Sequence, residues 1–171
     1  FFDRIRAYGI TEPIIQPKNN LFQMLLYSFA NISMECVVAG GVTINPKTNE
    51  LYSFLPCKSG TSTNVSENDL SYGWLITYSG FHYLSLGDLG GTGSSVDGEG
   101  AVTDYLVGHF NNKNYHLCSN KISHHGSKSS SGSYFVIWNN PTLPIIPANL
   151  RTYGSAALPT ETAIESLLGL G

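Results

Sequence analysis

The chain has 171 residues, of which 42% are apolar and only 12% charged, and its net charge is -3. That length suits one domain, residues 1–171, hiding roughly two thirds of its unfolded surface, and the apolar share excludes a disordered chain. The mild negative charge excludes a general grip on nucleic acid or anionic membrane, so a polyanion would have to be held at a local site or by a metal.

The opening "FFDRIRAYGITEP" has no initiator Met, no basic n-region and no cleavage signal, and it reads as the inside of a larger protein. In "NNLFQMLLYSFANI", Leu21, Met24, Leu25 and Phe29 fall on one face of a helix that Asn19 or Asn20 could cap. "MECVVAGGVTINPKTNELYSFLP" predicts two strands around a turn at 46–49, and "CKSGTSTNVSEND" a polar loop. "LSYGWLITYSGFHYLSLGD" reads as a hairpin turning at Ser79-Gly80 and ending at Gly87-Asp88.

Beyond it come a glycine-rich loop, "LGGTGSSVDGEG", and a helix over "AVTDYLVGHF", with Val102, Leu106 and His109 or Phe110 on one face. The loop lacks GxxxxGK and the full GxGxxG, so it reads as an access loop near Asp88. "YHLCSNKIS" predicts a strand ending at His124, "SYFVIW" a short helix or a strand, and "TLPIIPA" an apolar run that prolines confine to an edge. "PTETAIESLLGLG" is a helix with Thr160 as N-cap and Gly169 as its stop. Strands alternating with helices argue for an α/β layered domain. No run reaches the ~18 apolar residues of a spanning helix, so no membrane segment is expected and the chain reads as soluble. Three cysteines, Cys36, Cys57 and Cys118, leave an odd thiol that favours a reducing, cytoplasmic compartment; the high Ser, Asn and Tyr content leans the other way, and localisation stays open.

Asp88 and His124 both fall where strands are expected to end, and a carboxylate converging with an imidazole there suits Zn, Mn or Fe. With "YLSLGD" ending at Asp88, "SHHGSKSSS" from Ser123 to Ser131, and Asn68-Asp69-Leu70-Ser71 before the hairpin, the chain resembles the metallo-β-lactamase fold superfamily. The closer resemblance is to the branch found in bacterial competence (DNA-uptake) proteins and in phosphodiesterase and phosphorylcholine-esterase domains. Ile145 to Pro147, Tyr153-Gly154 and Pro159 to Leu168 look like that branch's tail, so the resemblance spans roughly residues 50–170.

The resemblance implies an αββα sandwich and a metal-dependent hydrolase acting on a phosphodiester or related anionic ester. Asp88 matches the carboxylate that bridges two ions, and His124 or His125 the histidine of the second ion, with His124 favoured because it ends the strand. Gly126, Ser127 and Lys128 would line the anion pocket, with Ser127 and Lys128 beside the reaction. Zinc is the expected ion, with Mn or Fe as alternatives. The superfamily's His-x-His-x-Asp-His run is absent: the five histidines are His82, His109, His116, His124 and His125. Phe54 and Leu55 stand where a further ligand is often found, and "YGSAALP" where the branch often has Tyr-Gly-His-Pro. Two explanations compete: the chain is the C-terminal part of a longer enzyme whose first half holds the missing ligands, or it is a protein that has lost its metals, and the alternative function is a non-catalytic scaffold or protein-interaction module on the same fold. Oligomeric state is not readable.

Blander readings stand beside these. Asp88 in Gly-Asp could be an ordinary turn residue, and "SKSSSGS" a flexible linker. His82 is expected at the surface, His109 and His116 beside a loop, and Trp74 and Trp138 in the core. Covalent catalysis finds no GxSxG, and Cys118 has no evident acid partner.

Overall fold

The computed structural model describes residues 26–29, 31–55, 65–91, 96–110, 115–148, 151–153 and 156–169. In chain order the elements are β1 (Leu26–Phe29), β2 (Ile32–Val38), β3 (Val42–Ile44), β4 (Leu51–Ser53), a 3-10 turn at Glu67–Leu70, β5 (Gly73–Tyr78) and β6 (Phe81–Ser85). They continue as α1 (Gly98–His109), β7 (Ser119–Lys121), a 3-10 turn at Ser123–Gly126, α2 (Ser133–Asn139), β8 (Leu143–Ile145), β9 (Arg151–Tyr153), β10 (Ala156–Leu158) and α3 (Glu161–Leu168).

The result is a mixed α/β fold. Six strands form one sheet in the order β1-β2-β5-β6-β7-β8, and β3-β4 and β9-β10 form two small antiparallel pairs. The first four strands of the large sheet run antiparallel to one another, whereas β6, β7 and β8 are parallel. Parallel neighbours need a crossover, and α1 and α2 supply the two.

Alternation along the strands decides which face is buried. Leu75 pairs with Leu84 and both point into the core. α1 meets them with Val102, Tyr105 and Leu106, spaced one helical face apart, and Phe135 of α2 completes the cluster. Each such buried apolar side chain contributes roughly 1.5–3 kcal/mol. The opposite face carries Met34, Ile76 and Tyr83, half-buried, with Ile32, Tyr78 and Phe81 exposed at its end. A sheet face this apolar normally lies against a second layer.

The hairpin at Ser79-Gly80, the α1 and α3 helices and the edge position of β8 follow the sequence expectations. Other segments differ. The helix expected through Phe29 does not reach it: residues 26–29 pair with β2, because a strand partner three residues away satisfies their backbone, and residues 19–25 lie outside the described residues. β7 stops at Lys121, and His124 stands in the turn beyond it. "SYFVIW" is helical. His82 is half-buried, not at the surface, because Thr77 Oγ1 bonds its Nδ1 at 3.1 Å and Phe110 packs edge-on at 5.1 Å. That burial, with His116 nearby, lowers its pKa. Trp138 lies 45% exposed on the outer face of α2, because the inner face is spent on Phe135 and Asn139, and Trp74 is half-buried. Residues 92–95 of the glycine-rich loop, Cys57 and Gly154 lie outside the described residues.

Candidate functional site

β6 and β7 are adjacent and parallel, with Tyr83, Leu84 and Ser85 opposite Ser119, Asn120 and Lys121, so both chains leave the sheet at the same end. Leu86 and Ile122, each fully buried, anchor the first step beyond each strand. Gly87-Asp88 then follows on one side and Ser123 to Gly126 on the other. The Gly87 carbonyl joins them: it accepts from Lys121 Nζ at 2.6 Å and from the His124 amide at 3.3 Å. On the far side of the turn, the Asp88 amide donates to Ser71 Oγ at 3.1 Å.

The two histidines and the glycine after them adopt left-handed backbone, with φ of 45°, 56° and 74°. Such a conformation costs a non-glycine residue roughly 1–2 kcal/mol, and strain of this kind clusters where side chains must be aimed. The aim differs for each histidine. His125 Nε2 lies 3.6 Å from Asp88 Oδ2, and its Nδ1 lies 2.9 Å from the Pro147 carbonyl. A carbonyl can only accept, so Nδ1 carries the proton and Nε2 is the nitrogen turned toward the carboxylate.

His124 faces the other way. Its Nε2 meets Asn68 Nδ2 at 3.3 Å and its Nδ1 meets Ser127 Oγ at 3.2 Å, which in turn meets Ser129 Oγ at 3.0 Å. Both ring nitrogens are thus engaged with neutral partners. Asn68 is held there by a capping box, in which Ser66 and Asp69 bond each other's backbone. The nearness of His124 to the strand end made it the favoured ligand from sequence; the left-handed turn instead presents the next imidazole to Asp88.

The Gly126 carbonyl accepts from Thr160 N at 2.8 Å and Oγ1 at 3.1 Å, tying the turn to the start of α3. Ser127 is buried, and Lys128 is exposed. Three participants were not singled out in the sequence: Lys121, Asn68 as the partner of His124, and Pro147. Lys121 stands three residues before His124, yet only the β6–β7 register puts its ammonium 3.5 Å from Asp88 Oδ1.

Asp88 Oδ2 and His125 Nε2 are donors of the kinds that divalent ions accept. The imidazole nitrogen and the carboxylate oxygen face each other at 3.6 Å, with the Lys121 ammonium on the other carboxylate oxygen. Two ligand atoms bound to zinc at the tetrahedral angle stand ~3.4 Å apart, close to the 3.6 Å between Nε2 and Oδ2. These are two ligands where catalytic zinc uses three from protein. Among the described residues, no group of three or more His, Cys, Asp and Glu side chains is arranged to hold a metal.

No family model, curated protein or solved structure matches the chain. Among the described residues, no helix is long and apolar enough to cross a membrane.

Proposed function

We propose that the chain is a metal-dependent hydrolase of the metallo-β-lactamase type, acting on a phosphodiester or related anionic ester. The observation that carries this reading is the Asp88–His125 pair, aimed at each other at 3.6 Å from the ends of two adjacent parallel strands. The half-covered face of Met34, Ile76 and Tyr83 supports the architecture, since a second sheet stacked on it would complete an αββα sandwich.

In this reading Asp88 and His125 would hold a divalent ion, zinc first and Mn or Fe as alternatives. The ion, when bound, supplies a Lewis acid for the ester and lowers the pKa of a bound water. The chain's own residues do the rest. Pro147 fixes the tautomer of His125, and Ser71 and Lys121 hold the Asp88 turn. Asn68, His124 and Ser127 lock the histidine turn from behind. Exposed Lys128 offers a positive charge to an arriving anion.

The test is hydrolysis of bis(p-nitrophenyl) phosphate by the intact gene product with added Zn or Mn. Asp88→Ala and His125→Ala should each lower kcat/KM by at least about 10²-fold; turnover retained by a folded Asp88→Ala variant sinks the assignment. A scaffold without catalysis is the second reading, favoured by one observation: the Lys121 ammonium gives Asp88 an internal counter-ion. For a scaffold, neither chelator nor added zinc would change the melting temperature.

A further inference from the structure

Glu99 is a carboxyl that the candidate site does not use. It lies at the start of α1, only 1% exposed, and three other segments close over it. From the loop after β6, the Gly90 carbonyl accepts the Glu99 amide at 3.0 Å, and Gly91 packs so closely on Oε2 that no side chain would fit there. From the serine run, the Ser131 amide donates to Oε2 at 2.7 Å, and the Ser129 carbonyl accepts the Gly91 amide at 2.6 Å. The turn after β7 adds the Ser123 hydroxyl. The carboxyl therefore sits where the chain following Asp88 and the chain following His125 are held together.

A buried acid is costly to ionise unless a cation or enough donors meet its charge. The groups facing Glu99 are the Ser123 hydroxyl, the Ser131 and Gly132 amides, Asp97 at the cap of α1, and Tyr134 of α2, whose hydroxyl donates to Asp104. None of them is positive, and Lys128, the cation of the serine run, is exposed. Among the described residues, Glu99 has no ion pair and its Oε1 has no hydrogen-bond partner. The amides and the positive end of α1 favour a carboxylate, but burial outweighs them and raises the pKa to about 7. Ser131 depends on this carboxyl directly: it is fully buried in left-handed backbone, φ 55°, which serine does not favour by itself.

From this arrangement we infer that Glu99 is a proton-operated latch, which holds residues 127–132 closed on α1 while it is protonated and releases them as it ionises. The latch is independent of the metal-site reading. Lys128 belongs to the latched segment, so the proton on Glu99 also decides how firmly that exposed charge is placed.

The experiment is amide hydrogen exchange of the full chain, read by mass spectrometry from pH 5 to 8, with each rate divided by the intrinsic chemical rate at that pH. A carboxyl at its ordinary value when open and about 7 when closed makes opening about tenfold easier per pH unit between those limits, and constant above them. Peptides covering 127–132 should lose protection about a hundredfold from pH 5 to 7 and then level off. They should also be less protected than peptides of β5 and β6 at every pH. Glu99→Gln keeps an acceptor for the Ser131 amide but cannot ionise, and its protection should stay level. If that variant does not fold, carbon-13 NMR of the wild-type glutamate carboxyls replaces it, and one of them should titrate where protection levels off. Protection of 127–132 that is independent of pH in the wild type, or equal to that of β5 and β6, overturns the latch. So does a folded Glu99→Gln variant that falls as the wild type does, or the lack of a glutamate titrating at the plateau.

Discussion

Glu99, at the start of α1, is 1% exposed, and its Oε2 accepts the Ser131 amide at 2.7 Å. Burial pushes its carboxyl up to about 7, against the opposing pull of the Ser123 hydroxyl and the Ser131 and Gly132 amides. A carboxyl raised in the folded state binds its proton there while the unfolded chain has released it, so stability is greatest below the unfolded value and falls as pH climbs toward about 7. The loss amounts to about 3 kcal/mol. Chemical denaturation of the wild type between pH 4.5 and 8 should show this decline, and Glu99→Gln should flatten it; equal slopes would remove Glu99 as the cause. Gly126 makes a second prediction. Its φ is +74°, and an added Cβ would come within 2.9 Å of Pro159 Cβ. Gly126→Ala should cost at least about 1–2 kcal/mol in a urea titration. At this scale the sequence made Asp88 and the paired histidines legible as a cluster. It could not say which imidazole faces the carboxylate, because that depends on left-handed dihedrals that neither histidine prefers by itself.

Among the elements, α3 is the one whose ends were most legible. Thr160 caps it, accepting from the Ala163 amide at 3.4 Å, and Gly169 closes it in left-handed backbone. The same Thr160 hydroxyl donates to the Gly126 carbonyl. Thr160→Ala should therefore lose about 1 kcal/mol from the cap and loosen the histidine turn as well. A thermal melt reads the loss, and Thr160→Ser, which retains the hydroxyl, should return to the wild-type value; a Thr160→Ala variant that melts with the wild type would show that the cap contributes nothing. The Ser79-Gly80 hairpin was equally legible, since both residues adopt positive φ in the two-residue turn that matches strand twist. Residues 26–29 were not. Their apolar spacing fits a helix, and pairing with Ile32 to Glu35 overrides it.

For the whole molecule, a metal held by Asp88 and His125 would tie the end of β6 to the turn after β7. An ion that bound the folded chain and not the unfolded one would, at 100 times its Kd, add about 2.7 kcal/mol. Zinc should raise the melting temperature of the wild type and leave Asp88→Ala unchanged; a rise of the same size in both would place the ion elsewhere. The sequence by itself determined the α/β class, the order of most strands and helices, and the two motifs that carry the candidate chemistry. Those features rest on local periodicity, caps and turn residues, which a linear chain displays. Only the tertiary structure decided that β6 and β7 lie side by side and parallel, that His125 and not His124 meets Asp88, and that Lys121 reaches the other carboxylate oxygen. Such contacts join residues more than thirty positions apart, and their distances are set by strand register and crossover packing, which no local pattern encodes.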